Sequence, residues 1–122
     1  MKYKFTRYTG NYVKGDKKIG LNKSGLIRLS SGFCRETNAT SFNYAILFFD
    51  SSNNAIAIKF TNDKREEGVF AVTKDRSAAT ISAKSFMTMN KINLRSYFGR
   101  YMWRKEMISD VGEVFIIELG RK

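Results

Sequence analysis

Apolar and polar positions along this chain fall into two similar runs. In the first, Ile19-Gly20-Leu21-Asn22 and Leu26-Ile27-Arg28-Leu29 flank Lys23-Ser24-Gly25. Two short apolar-rich runs around a loop that ends in glycine predict a β-hairpin, with Gly25 supplying a positive φ. Ile19, Leu21, Ile27 and Leu29 would share its inner face, and Asn22, Arg28 and Ser30 its outer face. Ser30 or Ser31 can cap a helix over residues 32–38, because a serine hydroxyl accepts a hydrogen bond from an orphan N–H of the first turn. Asn38 or the residues after it would end that helix. Tyr44-Ala45-Ile46-Leu47-Phe48-Phe49 is a near-continuous apolar run, and Ala55 to Phe60 alternates cleanly after the polar turn at residues 50–54. These predict a second hairpin whose first strand is central and buried on both faces.

The second run repeats this order. Val69 to Thr73 predicts a strand, Lys74-Asp75-Arg76-Ser77 a turn, and Ala78 to Ile81 the returning strand. Ser82 would cap a helix over Ala83–Met89 that closes on Asn90, a residue tolerant of the left-handed conformation. Residues 91–100 read as a basic connection containing Arg95 and Arg100. Tyr101 to Met107 and Glu113 to Leu119 then predict a last hairpin around Asp110-Val111-Gly112. Ile27-Arg28-Leu29-Ser30 with Phe33 and Asn38 corresponds to Ala79-Thr80-Ile81-Ser82 with Phe86 and Asn90. The pattern predicts a β-rich α+β protein of two pseudo-repeated β-β-α-β-β units, residues 19–60 and 69–119, within one domain over 19–122. Residues 1–18 form a basic aromatic arm or an edge strand ahead of it.

Charge changes the picture. The chain of 122 residues has 22 Lys and Arg against 11 Asp and Glu, a formal net charge of +11. An excess of this size points to a polyanionic partner, most often nucleic acid. It is also skewed. Between residues 1 and 35 the only acid is Asp16, whereas acids gather at Asp63, Glu66, Glu67 and Asp75, and again at Glu106, Asp110, Glu113 and Glu118. Cys34 is the only cysteine, so no intrachain disulfide can form, and beside Phe33 it reads as a small buried hydrophobe. A lone cysteine, with no apolar leader and no membrane-length apolar run, points to a reducing cytoplasm.

The chain has no histidine. That removes Ser-His, Cys-His and His-metal constellations, and no glycine-rich phosphate loop is present. Asp50 and Asp63 are acids from which a metal nuclease could be built, but nothing in the sequence marks them as convergent. The expectation is therefore a protein that is not an enzyme, with neither metal nor cofactor.

What remains is a set of cations on hairpins. Lys17, Lys18, Lys23 and Arg28 surround the first one, and Lys74 and Arg76 occupy the matching turn of the second half. Arginine pairs bidentately with phosphate or a guanine edge, lysine acts as a point charge on phosphate, and a two-stranded ribbon is thin enough to enter the major groove. The alternative is that these charges solvate hairpin edges and keep them from aggregating. A different mode is offered by Tyr3, Phe5, Tyr8 and Tyr12 among Lys2, Lys4 and Arg7, which could stack on bases of a single strand. These aromatics could equally pack on the sheet, and Trp103 suits a core or an interface.

Lys23 to Ser30, the short helix after it and the hairpin of residues 44–60 resemble the AbrB/MazE-type swapped-hairpin fold, with Gly25, Ile27, Leu29, Asp50 and Ile56 in matching places. Ser30 stands where that family usually has proline. A tandem arrangement in one chain is similar to the MraZ-type regulators. The resemblance implies two units interleaved into one compact swapped-hairpin-like barrel, and a transcriptional regulator or antitoxin-like protein with its basic hairpins against double-stranded DNA. DNA is preferred to RNA as partner, no membrane is involved, and apolar edge strands leave room for a homodimer. Two other functions fit the same charge: single-stranded nucleic-acid binding on an aromatic and basic sheet face, and a protein-interaction module for an acidic partner.

Overall fold

The computed structural model describes residues 18–120. The expected arm therefore lies outside the described residues except for Lys18. Lys17, Tyr3, Phe5, Tyr8 and Tyr12 lie outside them too.

The first hairpin forms as expected. β1 (Ile19–Leu21) pairs with β2 (Leu26–Leu29), and Ile19, Leu21, Ile27 and Leu29 are all buried while Arg28 is exposed. Gly25 carries φ +90 in the turn. A Cβ there would meet the Cα of Lys84 at 2.8 Å, so only glycine fits where the turn touches the second half. Helix α1 (Ser31–Thr37) starts on Ser30, whose Oγ accepts the Phe33 N–H at 3.1 Å, and ends on Asn38 at φ 60. A 3-10 turn, Ala39–Ser41, leads into the hairpin of β3 (Tyr44–Asp50) and β4 (Ala55–Thr61).

The second half departs from expectation in detail. It supplies β5 (Phe70–Ala71), β6 (Thr73–Asp75), β7 (Ala78–Ser82), α2 (Lys84–Met89), α3 (Leu94–Tyr97), β8 (Gly99–Tyr101), β9 (Arg104–Ile108) and β10 (Gly112–Glu118). Ser82 does not cap α2. It stays in β7 opposite Leu26, and the N-cap is Ala83, without a side-chain bond. Asn90 is not left-handed (φ −93). Its Nδ2 donates to the Phe86 carbonyl, and the left-handed residue is Lys91. The connection of residues 91–100 holds α3, whose N–H groups at Arg95 and Ser96 donate to the Asn93 side chain. Tyr101 belongs to β8 and not to the last hairpin, which is β9 with β10.

The strands make two five-stranded antiparallel sheets, ordered β6-β7-β2-β1-β8 and β5-β3-β4-β10-β9. No closed barrel forms, which corrects the barrel expectation. The outer edge of β1 is taken by β8 and that of β3 by β5, so each sheet keeps its own two edges. The inner faces of both sheets share one core with α1 and α2. Phe33 on α1 is its hub, edge-on to Trp103 and Phe115 with centroids at 5.0 and 5.4 Å, and tilted against Phe60. Trp103 is thus a core side chain at the margin. Cys34 is buried as expected and donates to the Leu29 carbonyl.

β3 is not the strand buried on both faces. It lies second from an edge, Ala45 and Leu47 are buried, and Phe48 is exposed. The strand covered on both faces is β10, where Val114, Phe115, Ile116 and Ile117 are buried in succession. β4 and β9 flank β10, and Ala55, Ala57 and Val111 pack with Val114 and Ile116 on its outer side.

Candidate nucleic-acid interface

In an antiparallel sheet, residues directly opposite each other project from the same face. The registers of the first sheet place Thr73, Thr80, Arg28, Gly20 and Arg100 in one row across all five strands. The next row along holds Lys74, Ala79, Leu29, Ile19 and Tyr101, and its last four members are buried. The row of Arg28 is therefore the outer face, and the row of Lys74 the inner one.

That register divides the five described cations of the six expected to act together. Lys18, Lys23 and Arg28 line one groove of about 860 Å³ on the outer face. Lys74 does not join them. It is part of β6 and not of a turn, shares the inward register, and reaches past the edge to Asn43, with Nζ donating to Oδ1 at 2.6 Å. Arg76 sits at the tip of the β6–β7 hairpin at φ 59, beyond Ala78, which lines the groove, and is exposed. The first hairpin is not a free ribbon either. It has β7 on one side and β8 on the other, so a sheet face and not a hairpin tip is presented.

The groove gains a cation and an aromatic that sequence reading left out of the site. Arg100 and Phe98 join it because β8 pairs with β1, nearly eighty positions away. Lys23 Nζ stands 4.6 Å from the centroid of the Phe98 ring, and Phe98 is 41% exposed. No local pattern announces the β1–β8 pairing. Gly20 did carry a signal, since a lone glycine inside a strand pattern marks a close backbone approach. Among the described residues lining the groove there are four cations and no carboxylate.

The acids weighed for metal chemistry are committed locally. Asp50 accepts from the Asn53 side chain and from the backbone N–H groups of Asn53 and Ser52 within its own turn, and these bonds hold its carboxyl below the ordinary range. Asp63 is lowered likewise by Arg65. No group of three or more metal-ligating side chains converges among the described residues. No helix among them is long and apolar enough to cross a membrane. No family model, no curated protein and no solved structure matches the chain.

Proposed function

We propose that this chain is a nucleic-acid-binding protein that grips the phosphodiester backbone with the outer face of its first sheet, and that its role is binding rather than catalysis. The observation that carries this reading is the convergence of Lys18, Lys23, Arg28 and Arg100 on one groove in which no described lining residue is a carboxylate. Cations clustered on one face raise the local concentration of a polyanion there. Double-stranded DNA, and a role as a cytoplasmic transcriptional regulator or antitoxin-like protein, follow from the swapped-hairpin resemblance. The element order supports that resemblance in part. Each half contributes one hairpin to each sheet, the first hairpins meeting through β2 and β7 and the second through β4 and β10. This is the relation expected of two interleaved units, as in a tandem MraZ-like chain.

A second reading, single-stranded nucleic acid, is favoured by Phe98, a partly exposed aromatic among the cations beside which a base could stack. One experiment separates the two. Affinity for random duplex and for single-stranded DNA is measured across a salt series. Each phosphate held steepens the slope of log K against log[salt] by about 0.9 on duplex and about 0.7 on a single strand. Tighter duplex binding supports the regulator, and tighter single-strand binding supports the stacking mode. A flat salt response or no binding overturns the proposal in favour of docking to an acidic protein.

A further inference from the structure

Within that face, we propose that Gly20 floors a built seat for one phosphodiester group of a nucleic-acid strand, straddled by the Arg28 and Arg100 guanidinium groups. The inference rests on the nucleic-acid reading above and assigns its central contact.

The register carries it. Arg28, Gly20 and Arg100 stand opposite one another on three adjacent strands and project from the same face. Neighbouring strands lie about 4.8 Å apart, so the two arginine backbones are roughly 10 Å apart with a strand between them that offers no side chain. The result is a trough with a backbone floor and an arginine on each wall. Each guanidinium is a planar fork that can present paired N–H donors to the oxygens of one phosphate. Lys18 and Lys23, one before β1 and one after it, extend the same line of charge along the trough.

The fold does not need glycine at this position. Gly20 is not among the positive-φ glycines of the chain. A Cβ built on it would lie 3.5 Å from the Arg28 Cβ and 3.9 Å from the Arg28 carbonyl oxygen, which is ordinary contact. Gly25, five residues on, is the opposite case, with φ +90 and backbone in the way. Glycine in a strand interior weakens the strand and packs nothing, so a position where a Cβ fits but none is present is suited to a ligand that approaches the backbone. A glycine floor between two arginines, in a groove where no described lining residue is a carboxylate, has the chemistry of a phosphate seat.

The test uses Gly20→Val, which fills the trough, leaves every charge in place and suits a strand. Binding of the full chain to labelled duplex and to labelled single-stranded DNA is read by fluorescence anisotropy, with folding followed by circular dichroism and thermal melting. The seat predicts at least a tenfold loss of affinity on the preferred probe with an unchanged or higher melting temperature. The probe that suffers the loss identifies the kind of strand seated. Arg100→Lys is the second variant, and it decides the matter alone if Gly20→Val does not fold. It keeps the charge and removes the fork, so a seat loses several-fold where a diffuse field loses nothing. Wild-type affinity in both variants overturns the seat and leaves the nucleic-acid reading standing. Failure of the unmodified protein to bind either probe overturns both.

Discussion

The two sheets obey one rule inside and different rules outside. Each turns its apolar side chains onto a common core. On the outer face of the first sheet, Arg28 and Arg100 flank Gly20 in a groove where no described lining residue is a carboxylate. On the second, the equivalent row across the strands is Phe48, Ala57, Ile116 and Arg104. Arg104 is bound there by both Glu106 and Glu118, which raise its pKa. Exposed pairs of this kind add little stability. Their consequence is electrostatic: the two glutamates offset the charge of Arg104 on this face. The net charge of the chain therefore says less about binding than the placement of its acids does.

The strongest test of the shared interior is Phe33→Ala. Phe33 has no exposed surface, and its ring touches Phe60, Phe115 and Trp103. Truncating a buried phenylalanine costs about 3–5 kcal/mol. Denaturant unfolding should show one transition at reduced midpoint, followed equally by probes in either sheet. Two separated transitions would mean that the sheets are independent units and that their outer faces need not be compared as parts of one molecule.

Gly25→Ala should cost somewhat less, about 2–3 kcal/mol, the scale of a non-glycine residue forced to positive φ. Its Cβ would also press on the Lys84 backbone, and the Gly25 carbonyl accepts the Ala83 N–H at 3.0 Å. The damage falls between the first hairpin and α2. Amide exchange should therefore rise in β1, β2 and β7 before it rises in β4 and β10. Uniform loss of protection would show that the turn supports both sheets equally.

The outer faces are compared directly by Arg28→Ala with Arg100→Ala against Arg104→Ala. Charge-assisted hydrogen bonds contribute about 1.5–3 kcal/mol each. The double variant should lose at least about 100-fold in DNA affinity by that measure, with the salt slope shallower by about one unit, because the two guanidinium groups share one phosphate. Arg104→Ala should bind within about twofold of wild type, because its charge is already spent on two glutamates. Equal losses from the two faces would erase the distinction.

How far the sequence carried this comparison depended on sequence distance. The inner face of the first hairpin was legible because alternation is local. The serine cap at Ser30 and the helix end at Asn38 were legible for the same reason. The face on which Lys74 lies was not, because it depends on Thr73 pairing with Thr80 and on a turn two residues later than expected. Arg100 was seen only as part of a basic connection, since its row is set by β8 pairing with β1 across most of the chain. The apolar run at Tyr44–Phe49 looked more buried than Val114–Ile117 by composition alone. What decides burial is how far each neighbour extends: β5 covers only Tyr44 and Ala45 of β3, whereas β9 runs along Gly112–Ile116 of β10, and small residues pack on the outer face of β10. Sequence gave the candidates for contact, and register chose among them.

The smallest expected effect concerns the joint between the sheets. Cys34 donates to the Leu29 carbonyl in the first sheet, while its neighbour Phe33 packs on Phe60 and Phe115 of the second. Burial pushes the Cys34 thiol up from 9.0 to about 11. A raised folded pKa favours folding while the thiol stays neutral. This contribution is whole below about pH 9 and is lost as pH rises through about 11. At pH 8 the thiolate is the reactive form and is nearly absent in the folded protein, so Cys34 should resist a thiol reagent until denaturant is added. Its labelling rate then reports opening at the bridge formed by α1. Bound DNA should slow that rate only by stabilising the folded state, because the groove lies on the far side of β2 from the thiol. Rapid native labelling at pH 8 would show that α1 leaves the core without global unfolding, and the sheets would then be joined more loosely than their common core implies.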